Sequence, residues 1–117
     1  MNIEELREYC LSKKAVTESF PFDEETLVFK VANKMFALSA LEKGNNIVLK
    51  CDPERAIQLR EEYTEIEAAW HMNKTHWNQI DLNGSVPNNL IIELIDHSYE
   101  LIVSKLTQKI KTELLGE

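Results

Sequence analysis

The sequence predicts an α+β fold: a two-layer sandwich in which an antiparallel sheet carries an N-terminal, a middle and a long C-terminal helix. Three observations lead there. Residues 26–50 hold three short runs rich in β-branched and aromatic side chains, separated by a few turn-forming residues, as in hairpin-connected strands. Near the N-terminus, after Asp52-Pro53 and through the last third, apolar residues instead recur at three-and-four spacing. The alternation of single strands and helices that marks a parallel crossover sheet is missing.

The elements follow in order. Asn2 precedes Ile3, Leu6, Tyr9 and Cys10 at helical spacing, with Glu4 and Glu5 in the first turn where the helix dipole favours acids, so a capped helix runs to about Lys13. Val16–Phe22 reads as a short strand or extended arm, because Pro21 biases Phe20 toward extended geometry. Thr26–Val31, Lys34–Leu41 and Asn46–Lys50 form an antiparallel meander. Ala32-Asn33 is its first tight turn, and the segment from Glu42 to Asn46 its second. Asp52 and Pro53 supply a cap and a first-turn proline for a helix to about Tyr63. Ile66–Trp70 reads as an extended connection, Trp77–Leu82 as a short strand, and Asn83-Gly84 as a turn. From Pro87 the pattern Leu90, Ile91, Leu94, Ile95, Ser98, Tyr99, Ile102, Val103, Leu106 describes one long amphipathic helix.

A length of 117 residues with 44% hydrophobic content suits a single domain over 1–117 with a real core. No apolar run approaches the ~20 residues of a membrane span, and the charged N-terminus does not resemble a signal peptide, so the expected location is cytoplasmic with no membrane partner. Cys10 and Cys51 lack any recurrent spacing and read as reduced, mostly buried thiols.

The formal net charge of −7 argues against capture of polyanions by the whole surface. Its distribution is uneven. Between Thr26 and Lys50, Lys30, Lys34, Lys43 and Lys50 face one acid, Glu42, whereas 18–25 and 51–67 are strongly acidic. Residues 68–80 contain no acid at all. That window holds Trp70, His71, Asn73, Lys74, His76, Trp77 and Asn78, a donor-rich aromatic segment that would serve as a contact or ligand surface. His71 and His76 do not have the H-E-x-x-H spacing and have no nearby ligand set, so no metal is expected. Neither a catalytic pair nor a phosphate-binding glycine loop is readable, and no cofactor or catalytic residue is assigned. Lys13, Lys14, Lys105, Lys109 and Lys111 read as cations at helix C-termini.

Taken together, Ser19-Phe-Pro-Phe22, Lys34-Met-Phe-Ala37, Leu49-Lys-Cys-Asp-Pro53, His71-Met-Asn-Lys-Thr-His-Trp-Asn78 and Asp96-His-Ser-Tyr99 resemble the MmcQ/YjbR family across nearly the whole chain. The resemblance implies a two-layer, frataxin-like topology with β-hairpin wings compared to a double-wing DNA-binding motif. DNA would then meet the sheet or its hairpins, where Lys30, Lys34, Lys43, Lys50 and Lys74 would neutralise phosphates. The alternative is a module that binds a protein or small ligand through the 70–77 surface.

Overall fold

The computed structural model describes residues 1–69 and 72–116. Six strands, β1 (Val16–Ser19), β2 (Thr26–Val31), β3 (Lys34–Ala40), β4 (Asn46–Lys50), β5 (Ile66–Ala68) and β6 (Trp77–Asp81), form one antiparallel sheet in the order β1-β2-β3-β4-β6-β5. Four helices, α1 (Ile3–Ser12), α2 (Pro53–Glu62), α3 (Asn88–Val103) and α4 (Gln108–Leu115), complete the described α+β fold.

Local chemistry sets the element ends as the sequence predicts. Asn2 accepts a hydrogen bond from Glu5 N at 2.9 Å while the Glu5 carboxylate accepts from Asn2 N, a full capping box on α1. The Asp52 carboxylate accepts from Arg55 N ahead of Pro53 at the start of α2. Ala32 and Asn33 both take positive φ, 52° and 61°, the geometry that lets a two-residue turn follow the strand twist.

Three expectations need correction. Ile66–Ala68 is a paired edge strand rather than a bare connection: with Ile66 opposite Ile80, it buries one face against the core. The first extended segment stops at Ser19, short of Phe22. The C-terminal helix is two helices. Buried Leu106 pins a turn after Val103, and Thr107 accepts from Ile110 N to cap a new helix that apolar spacing through Leu106 did not reveal.

Strand alternation divides the side chains between two layers. Leu27, Phe29, Val31, Ile47, Leu49, Ile66 and Ile80 face the helices and pack with Leu6, Ala56, Leu59, Ile91, Leu94 and Ile95 in one continuous core. A register shift at Phe29/Lys30 lets Phe36 join this core, where its ring meets Tyr99 edge-on with centroids 5.4 Å apart. Val28, Leu38, Val48, Ala69 and Trp77 form a smaller second cluster on the opposite face, which carries none of the described helices. Met35 and Met72 pack against this cluster.

Candidate nucleic-acid interface

The position of α3 on the sheet governs the geometry of the site. Asp96-His-Ser-Tyr99 supplies four consecutive anchors. The Asp96 carboxylate accepts from Tyr9 Oη at 2.5 Å and pairs with Lys13 at 2.7 Å. His97 Nε2 accepts from Asp52 N at 3.1 Å. Ser98 is fully buried; its Oγ accepts from Lys50 N at 3.0 Å and donates to the Phe36 carbonyl at 2.5 Å. Tyr99 Oη donates to the Lys14 carbonyl at 2.7 Å. One helical turn therefore locks α3 to α1, to the start of α2, and to β3 and β4 at once.

That docking fixes a basic end of the molecule. β3 begins where β4 ends, so Lys34 and Lys50 lie near one another, and the turn after α3 brings Lys105 beside them. Lys105 stands close enough to Lys50 for their like charges to repel. Burial, then Lys105 and then Lys34 hold the Lys50 ammonium below its usual pKa. None of the three lysines makes a salt bridge among the described residues. Lys30 lies one strand further out, opposite Met35 and Thr17. Lys74 sits in the loop entering β6, whose first residue, Trp77, pairs with Lys50. Lys43 does not join them. It lies in the 3-10 turn (Leu41–Lys43) at the opposite end of the sheet, among Glu65, Glu67 and Asp81.

The aromatic segment has a largely structural role. Trp77 is 9% exposed, within the second cluster. Asn78 is 3% exposed; it accepts from Arg60 at 2.8 Å and donates to the Ala56 carbonyl, tying α2 to β6. Both residues are therefore removed from the expected contact surface, because burial consumes their area and their polar atoms. The Asn73 side chain accepts from Thr75 N, its carbonyl accepts from His76 N and Trp77 N, and the His76 carbonyl accepts from Cys51 N. Asn73 is exposed and His76 half-buried, while Trp70 and His71 lie outside the described residues.

Sequence reasoning missed Lys105, which the helix-dipole reading had explained away. The signal that would have found it was Thr107, a cap three residues before Ile110, marking a helix break beside the lysine. Burial pushes the Cys10 thiol up to about 12 and raises Cys51 as well, so both stay protonated at neutral pH. Among the described residues, no group of three or more histidine, cysteine or carboxylate side chains is placed to hold a metal ion. No described helix is long and apolar enough to cross a membrane.

The family model described as YjbR matches residues 11–101. The chain belongs to the YjbR family. It is 34% identical to Uncharacterized protein YjbR of Escherichia coli K12 over 98% of both chains, and 33% identical to Uncharacterized protein YbdF of Escherichia coli O157:H7 over 77% of this chain and 75% of that one. Among solved structures, it matches Deinococcus radiodurans protein DR2400, a DUF419 domain, with a TM-score of 0.90 and 38% identity over 96% of this chain and 86% of that one. A Pseudomonas syringae protein matches with a TM-score of 0.74 and 31% identity, over 86% of this chain and 98% of that one. The Asp96–Tyr99 anchors lie within the matched family region.

Proposed function

We propose that this YjbR-family chain is a non-catalytic DNA-binding domain that holds duplex phosphates at the basic end of its sheet. The convergence of Lys34, Lys50 and Lys105 without a carboxylate partner among the described residues carries the reading. Like charges brought together cost free energy in the free protein, and a phosphate between them removes that cost while gaining charge-assisted hydrogen bonds. Lys30 and Lys74 extend the same end toward neighbouring phosphates.

Charge elsewhere sets the strength and orientation of binding. With a net charge of −7, the acidic parts of the surface repel the duplex, so binding is weak and oriented by the basic end. Phosphate contacts of this kind position a protein without reading sequence. Fluorescence anisotropy with a random duplex at low salt tests the reading. Binding at micromolar protein that Lys34→Glu combined with Lys50→Glu removes is the expected result. Absence of binding at tens of micromolar, or binding that the double variant leaves unchanged, overturns it.

A further inference from the structure

The face without a described helix also contains a groove of about 440 Å³ that runs from the 3-10 turn, at the end of the sheet far from the lysine cluster, along the sheet to Ala69 and Met72. Phe22, Leu38, Val48, Ala69 and Met72 provide its apolar surface. Asn46 and Gln79 line it as well, but the Asn46 amide is occupied: it donates to the Ala40 and Gly44 carbonyls and accepts from Ala40 N. The volume lies in the range of small-molecule sites, which are largely apolar with a few placed polar groups.

Charge decides what such a groove would hold. Asp23 and Glu42 lie on its rim, opposed among the lining residues by Lys43. The Asp23 carboxylate accepts from Glu25 N, Thr26 N and Thr26 Oγ1, which keeps it ionised and fixed in place. Next to the rim, the Glu25 carbonyl accepts from Leu41 N, which places Glu25 beside Glu42. Contact with Glu42 raises the Glu25 pKa, as expected for two carboxylates sharing one site. A polar recess of about 260 Å³ adjoins through Lys43, Asn46 and Gln79, and adds Glu65, Glu67 and Asp81.

We infer that this groove binds a small organic cation, an ammonium on an apolar body, with the body over Leu38, Val48 and Met72 and the ammonium at the Asp23 and Glu42 rim. Met72 suits the role, since an unbranched thioether adapts to varied apolar shapes. Methyl-resolved NMR titration of the full chain with hexylammonium, hexanoate and hexan-1-ol tests the assignment. Hexylammonium is expected to shift the Met72, Leu38 and Val48 methyls saturably, with hexanol weaker and hexanoate weakest. Glu42→Gln, at an exposed position of the rim, should weaken hexylammonium by about tenfold, the loss of one charge-assisted contact. It should leave hexanol unchanged. Equal binding of the three probes, shifts elsewhere, or no shifts overturn the inference. An acetylated Lys-Leu-Lys peptide binding more tightly than hexylammonium at the same methyls overturns the small-molecule assignment in favour of a peptide.

Discussion

Replacing Ser98 with alanine removes one oxygen from a fully buried position and leaves two backbone groups without their partner. Ser98 Oγ serves both Lys50 N and the Phe36 carbonyl, which belong to different strands. Each buried polar group left unpaired costs about 1–3 kcal/mol, so Ser98→Ala should destabilise the domain by about 2–4 kcal/mol after some relaxation. For a domain of this size, that is a fall in Tm of about 5–15 °C. Urea denaturation at neutral pH, followed by far-ultraviolet circular dichroism, gives the midpoint, and an unchanged slope would show that stability rather than compactness has moved. A loss below about 0.5 kcal/mol would refute the claim that Ser98 is the hinge pin between α3 and the sheet. The consequence extends to the basic end, because the same hydroxyl holds the Lys50 backbone where Lys105 reaches its side chain.

Trp77→Ala should cost about 3–5 kcal/mol, because the ring is packed within the second cluster; urea midpoints check this, and a near-neutral result would place the ring in solvent. Ala32→Gly should stabilise the domain by about 0.5–1 kcal/mol, since the native φ is positive and alanine is strained there; a lower Tm would contradict it. His97 is held below its usual pKa by burial and then by Arg55, and its Nε2 accepts from Asp52 N, which requires the unprotonated nitrogen. The unfolded chain therefore takes up that proton first. The contribution is complete above about pH 6.5 and is lost as pH falls through that value toward the folded pKa. Urea midpoints from about pH 7.5 down to about pH 5 should fall in the native chain and flatten in His97→Gln; equal slopes would refute the linkage.

Much of the scaffold was legible because local chemistry and tertiary packing agree. Asn2 with Glu5, Asp52 with Pro53, and Ala32-Asn33 each mark an element end that the fold keeps. Strand β5 was harder to see, since a three-residue edge strand carries too little alternation to separate from a loop, and no tight-turn signal joins it to its partner β6. The break before α4 was hidden because Leu106 continues the apolar spacing of α3 while the chain already turns. At the site, clustering of lysines in the sequence was a partial guide. Lys34 and Lys50 meet because neighbouring antiparallel strands begin and end together, whereas Lys43, equally close in sequence, is carried to the other end by the same geometry. The Trp70–Asn78 window marked the family but misled about exposure. Its Asn73, Trp77 and Asn78 shape a loop and a small core, which composition alone cannot distinguish from a binding surface.

The salt dependence of duplex binding tests the account at its centre. Each neutralised phosphate contributes about −0.9 to the slope of log affinity against log salt, so three or four lysine contacts predict a slope of about −3 to −4. Lys34→Gln and Lys105→Gln should each make that slope shallower by about 0.9, whereas Lys43→Gln, at the other end of the sheet, should leave it unchanged. A slope near zero in the native chain, or one that responds to Lys43 and ignores Lys34 and Lys105, would contradict the account.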